Sequence, residues 1–283
     1  MSADDLASAF ASSMQVGVGE TGSNMKTNDI ASSKEQNVVV MKDVQGPRGG
    51  LTAEKARELF EDILSGAQTD FTHLTISTWA WSAEAAQVAA EAVAKLPHLH
   101  SVYMGDIIAG RPEAEALEVY RILSEALVQH NLKLIDLSDN AIGPKGLAPL
   151  RTLLTDRQYL EEIYFCNCGI SAESAQTIAE LLLYRTPTKL RVIEFFNNMS
   201  GSDGAIATSK LVEASPDLEK FRFASSRCGR EGGVAIAKAL RNAQFRHLDL
   251  HDNTLGVPTA KSLAITLLKQ RRVEYLDIGD VSK

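Results

Sequence analysis

Eight stretches of this chain fit one frame, L-x-x-L-x-L-x-x-N, and recur at a nearly fixed interval. They are FTHLTISTW from Phe71, LHSVYMGDI from Leu99, LKLIDLSDN from Leu132, LEEIYFCNC from Leu160, LRVIEFFNN from Leu190, LEKFRFASS from Leu218, FRHLDLHDN from Phe245 and VEYLDIGDV from Val273. Their starts are 28, 33, 28, 30, 28, 27 and 28 residues apart. A unit this short cannot bury its own apolar face, so each must stack on the next and the chain must extend as an array. Between the frames, AESAQTIAELLLYR, DGAIATSKLVEA, EGGVAIAKALRNA and PTAKSLAITLLKQ place Ala, Ile and Leu at helical spacing.

Strand, turn and helix in about 28 residues make the long class of leucine-rich repeat. The predicted fold is therefore an α/β solenoid, a curved horseshoe with repeats of the ribonuclease-inhibitor length, parallel strands on the concave face and helices on the convex one. Because strand side chains alternate, Leu132, Ile135 and Leu137 are predicted to point into the stack, and Asp136 and Ser138 to face the other way. The asparagines that close three frames, Asn140, Asn198 and Asn253, are predicted to turn inward and satisfy backbone groups freed at the strand ends. Ahead of the array, residues 1–36 are rich in Ser, Ala and Gly without apolar periodicity, which predicts a disordered tail. Residues 37–70, with NVVVMKDV as a first strand and LTAEKARELFEDILSGA as a helix capped by Thr52, are predicted to cap the array over residues 71–283.

Composition limits the chemistry. A net charge of −7 argues against nucleic acid, which needs a basic footprint, and suits a basic partner. No apolar run is long enough for a membrane span, and the acidic start MSADDLASAF lacks a secretory pattern, so the expected compartment is cytosol or nucleus. The three cysteines, Cys166, Cys168 and Cys228, are too few for a disulfide framework, and C-x-C is not a zinc knuckle. GVGETG at Gly17–Gly22 lacks the strand and helix that a dinucleotide site needs. No H-E-x-x-H, G-x-S-x-G or phosphate-binding loop occurs, so no metal and no nucleotide site of the chain's own is expected. His247 and His251, four residues apart, are read without a cofactor, and the NMS sequon at Asn198 without a signal to deliver it.

One unit departs from the rule. The 33-residue step from Leu99 to Leu132 is longest just after the strand, in GDIIAGRPEAEAL, which predicts a lengthened loop on the rim with an unchanged helix. Arg111 precedes Pro112, the expected first helical position, and an arginine gains nothing from a helix N-terminus. Two readings of Arg111 stand: a solvated cation paired with Glu113 or Glu115, or a functional group.

GDIIAGRPEAEALE, followed by LKLIDLSDNAIGPKGL and LEEIYFCNCGIS, resembles the leucine-rich domain of Ran GTPase-activating proteins, the plant and algal branch above all, over roughly residues 50 to 283. The resemblance implies that the chain stimulates GTP hydrolysis by Ran and so supports nucleocytoplasmic transport. It implies that Arg111, after Gly110, and Asn167, two frames later, are the residues that act on the GTPase, either in its active site or by docking and ordering its loops. Asn140 matches another asparagine of that rim, although its closing position asks for a structural role. Pro112 and Glu113 stand where some fungal members are basic, and no acidic C-terminal tail appears.

On this reading GTP and Mg²⁺ belong to the partner, Ran-GTP, with a Ran-binding protein as a further partner, and the chain is a monomer in the cytoplasm or at the nuclear envelope. Asp136, Asp139, Glu194, Asp249, Asp252 and Asp277 are expected to present acids on or near the concave face, where they would steer a basic surface or serve solubility alone. The array is expected to be cut short, since its last frame lacks a following helix, and the N-terminal anchoring module of plant relatives is not in this sequence. The rival reading is a non-catalytic scaffold that grips a protein in its concave face, which leaves the long second unit unexplained.

Overall fold

The computed structural model describes residues 39–279 except residue 48. The tail and its Gly17–Gly22 motif lie outside the described residues. In chain order the elements are β1 (Met41–Asp43), β2 (Gly49–Leu51), α1 (Ala53–Leu59), α2 (Glu61–Leu64), β3 (His73–Thr75), β4 (Trp79–Trp81) and α3 (Ala83–Val93). Then strand and helix alternate: β5 (Ser101–Tyr103), α4 (Glu113–Leu127), β6 (Leu134–Asp136), α5 (Gly143–Leu154), β7 (Glu162–Tyr164), α6 (Ala172–Leu182), β8 (Val192–Glu194) and α7 (Gly201–Glu213). The order closes with β9 (Lys220–Arg222), α8 (Arg230–Ala239), β10 (His247–Asp249), α9 (Gly256–Leu267) and β11 (Tyr275–Asp277).

Nine strands form one parallel sheet in the order β1-β3-β5-β6-β7-β8-β9-β10-β11, while β2 and β4 pair separately. This is a leucine-rich repeat solenoid. The register never slips: Tyr103 pairs with Asp136, Asp136 with Tyr164, Tyr164 with Glu194, Glu194 with Arg222 and Arg222 with Asp249. Residues at the same frame position therefore form columns along the array. One inward column carries Leu74, Val102, Ile135, Ile163, Ile193, Phe221 and Leu248, all buried. Each such side chain taken from water stabilises by about 1.5 to 3 kcal/mol before the entropy of ordering is set against it. The sixth position adds an aromatic spine, with ring centroids 5.2 Å apart for Phe165 and Phe195 and 6.2 Å for Phe195 and Phe223.

The closing asparagines do what buried amides must. Asn253 Nδ2 donates to the carbonyls of Phe223, Leu250 and His251, and its Oδ1 accepts from the backbone N–H groups of Ser226 and Cys228. Cys168 takes the closing position in the fourth frame, its thiol set against the carbonyl of Leu137 at 3.2 Å. Burial pushes the Cys166 thiol up to about 12, which disfavours the thiolate, and all three cysteines are free.

The cap is built as the residues suggest at one point: Thr52 accepts from the N–H of Lys55 and starts α1. The 33-residue unit corrects the sequence reading in two respects. Nine residues, 104–112, separate β5 from α4, against six or seven after each later strand, so the loop is indeed longer. However, α4 has also grown, to 15 residues against 10 to 13 for the other repeat helices. The last turn of this helix buries Leu127, and Tyr120 is buried at its middle. Pro112, with extended backbone at ψ 145°, is the cap preceding the helix and not its first residue. Among the described residues no helix is long and apolar enough to cross a membrane.

Candidate functional site on the rim after the strands

The rim is shaped by the eighth residue of each frame. Thr78, Asp106, Asp139, Asn167, Asn197, Ser225 and Asp252 all adopt left-handed backbone, with φ between 49° and 70°. Asn and Asp tolerate this region better than other side chains with a Cβ, which explains five of the seven identities without reference to function. Backbone bonds continue the sheet into this bend: Asp139 N–H donates to Cys166, Asn167 N–H to Phe196 and Asn197 N–H to Ala224, at 2.8, 2.7 and 3.1 Å. The eighth residues are thus held one strand spacing apart, about 4.8 Å.

Asn167, Asp139 and Asn197 are exposed on this rim and joined side chain to side chain. Asn167 Nδ2 donates to Asp139 Oδ1 at 3.0 Å, and Asn197 Nδ2 donates to Asn167 Oδ1 at 3.1 Å. Asn197 escaped the sequence reading, although its eighth position in the frame, the same as that of Asn167, could have found it.

The lobe carrying Arg111 is pinned at its base. Ile107 is buried; its N–H donates to Asn140 Oδ1 and its carbonyl accepts from the N–H of Trp81. Asn140 is 1% exposed, and its Nδ2 serves the carbonyls of Met104, Leu137 and Ser138. It therefore has no free face for a partner, which corrects its reading as a contact: it fixes the base of the Arg111 lobe from inside. Gly110 turns the chain at φ +71°, a conformation that asks for glycine.

Arg111 is one-fifth exposed and folded back on its own chain. Its Nε and Nη2 donate to the carbonyl of Ala80 at 3.2 and 2.5 Å, and its Nη1 approaches Glu115 Oε1 at 3.4 Å. Glu113, the other acid considered, pairs instead with Lys145 at 2.9 Å. Ala80 is the middle residue of β4, which pairs with β2 alone in the small two-stranded sheet. Gly49, Gly50, Thr78, Ala80 and Ala109 line a shallow hollow of about 220 Å³ beside the guanidinium.

The fifth frame position puts Asp136, Glu194, Asp249 and Asp277 on the concave face, yet the face is not an acidic field. Glu194 is 5% exposed and lies 2.7 Å from Lys220 Nζ; Asp249 is 4% exposed and lies 2.9 Å from Arg222 Nε. Arg222 also stacks on Phe196, 3.6 Å from the ring centre. These two acids are consumed by cations at the third and fifth positions of β9, the strand that lies between theirs, so their reading as partner contacts is corrected. Asp136 accepts the N–H of Ser138, and burial raises its carboxyl above the usual range, with Glu194 and Asp139 adding like charge. Asp252 is exposed on the rim. Asp249, His251 and Asp277 bring one oxygen or nitrogen each within 4.8 Å of one another, with Arg222 already against Asp249.

At the N-terminal end of the concave face, His73 and His100 meet edge to face at 4.9 Å. Burial, then the charge of His100, pushes His73 down to about 4. The unfolded chain binds this proton near pH 6.5 and the folded chain only near pH 4, so stability is whole above pH 6.5 and falls as pH drops through that window. The urea midpoint is expected to fall between pH 7 and pH 5, and His73→Gln to reduce that fall. Equal losses in both proteins would exclude His73 as a source.

A family model described as Leucine Rich repeat matches residues 128–150. Among curated proteins the chain is similar to RAN GTPase-activating protein 1 of Arabidopsis thaliana, 39% identical over 120 residues, and to RAN GTPase-activating protein 2 of the same plant, 39% identical over 121. Each match covers 42% of this chain and 22% of the relative. The Ran GTPase-activating protein of Drosophila melanogaster is 27% identical over 187 residues, 62% of this chain and 31% of that one. The chain thus spans between about a fifth and a third of the length of these relatives.

Proposed function

We propose that this chain stimulates GTP hydrolysis by the small GTPase Ran, acting in trans on a nucleotide and Mg²⁺ that the partner carries. The similarity to plant RAN GTPase-activating proteins carries this reading. The rim supports it, since a rigid lobe bearing Arg111 and an exposed amide, Asn167, leave the sheet at the same strand ends with one strand between them.

Phosphoryl transfer to water needs an oriented nucleophile and stabilised charge on the γ-phosphoryl oxygens, and a GTPase orients its water with a glutamine. An asparagine side chain can hold another amide by paired hydrogen bonds, one given and one accepted. Asn167 is proposed to hold that glutamine. For Arg111, the engagement with Ala80 and Glu115 favours a docking role: to enter a partner's site as a free cation it would have to leave both. Location in the cytoplasm or at the nuclear envelope goes with this proposal.

A single-turnover assay of Ran-GTP hydrolysis with increasing amounts of this chain tests it. A saturable acceleration of several orders of magnitude is expected. Binding of Ran-GTP without acceleration would instead support the scaffold reading.

A further inference from the structure

We propose that Asp139 and Asn197 are positioning residues that lock the direction of the Asn167 amide along the rim. This rests on the function proposed above for Asn167. The two ends of an amide have nearly the same shape, and a half-turn about its last torsion exchanges donor for acceptor. A residue that must hold another amide in one orientation therefore needs its own direction fixed.

The three-residue ladder supplies that direction. A carboxylate accepts and cannot donate, so the Asn167 end facing Asp139 must be the NH₂ group, as the 3.0 Å contact has it. The carbonyl end is then left to face Asn197, which turns its own NH₂ toward it at 3.1 Å. The opposite orientation would set carbonyl oxygen against carboxylate oxygen and lose the charge-assisted bond to Asp139, even were Asn197 to turn and keep its own bond. The backbone bonds from the N–H groups of Asp139, Asn167 and Asn197 fix the spacing, and their similar φ values, 59°, 55° and 53°, send the side chains the same way.

Each end of Asn167 still has one valence open to solvent: a second N–H on the Asp139 side and a second lone pair on the Asn197 side. A partner amide can therefore pair in one sense only, its carbonyl toward Asp139 and its NH₂ toward Asn197. The left-handed backbone alone would accept Asn or Asp at any of the three positions, so a merely structural column does not require this order.

The test exchanges the ends. Asp139→Asn, Asn197→Asp and the double exchange keep residue types suited to the backbone but remove or reverse the fixed direction. Single-turnover Ran-GTP hydrolysis is measured across a titration of each chain. Asp139→Asn and Asn197→Asp are expected to lower the saturating rate by roughly tenfold, about the worth of one hydrogen bond, with little change in the half-saturating concentration. The double exchange is expected to be no better than either single change. Saturating rates within about twofold of wild type, against that tenfold expectation, would overturn the lock.

A wild-type chain that leaves hydrolysis unchanged would overturn the proposed function instead. The lock is then decided by NMR on the full chain: one Asn167 NH₂ proton should exchange slowly with water and lose that protection in Asp139→Ala. Equally fast exchange of both protons in wild type would overturn it.

Discussion

Asn167→Ala is expected to slow Ran-GTP hydrolysis at saturating chain by about 10² to 10³, the range found when one preorganised hydrogen-bonding group is removed from a transition state. The truncated side chain leaves the left-handed turn in place, since its backbone is held by the bond from its own N–H to Phe196, and the alanine costs only the local preference for Asn. The loss should therefore appear chiefly in the saturating rate, with the stability lowered only by about 1 to 2 kcal/mol, the cost of a left-handed residue other than Asn. Arg111→Ala, measured beside it, separates two ideas. A guanidinium that works by docking, held at Ala80 and Glu115, should when lost mainly raise the half-saturating concentration. A guanidinium inserted into the partner's site should cost about 10³ to 10⁵ in the saturating rate. Wild-type rates for both variants would remove the mechanism.

Asn198→Ala is expected to lower the stability of the array by about 3 to 5 kcal/mol, a large share of the total for a domain. Asn198 is 3% exposed, its Nδ2 donates to the carbonyls of Phe165 and Phe196, and its Oδ1 accepts from the N–H groups of Cys168 and Ile170. Alanine fills little of that space and leaves buried backbone groups without partners, each a cost of roughly 1 to 3 kcal/mol. Because units touch only their neighbours, the break falls between the fourth and fifth repeats and should lower cooperativity as well as the urea midpoint. A midpoint unchanged from wild type by circular dichroism would show that water replaces the amide.

The repeat frame was legible because it follows from two periods, two along a strand and 3.6 along a helix, that no tertiary context can alter. Leu132, Ile135 and Leu137 had to lie inside, and the amides of Asn198 and Asn253 had to serve the backbone there. The concave face was not legible in the same way. Glu194 and Asp249 look like free acids in a chain of net charge −7, yet each meets a cation brought alongside by β9. Sequence separation hides such pairs; register creates them.

The sequence by itself determined the solenoid, the inward columns and the lengthened second unit. Each is set by local stereochemistry or by apolar spacing within one repeat. Only the tertiary structure decided that Asn140 is spent on the base of the lobe, that Arg111 rests on the carbonyl of Ala80, and that Asp139, Asn167 and Asn197 form a directed ladder. Those contacts join residues about 28 to 36 positions apart, and they exist only once parallel strands stack in register and bring successive repeats within hydrogen-bond reach.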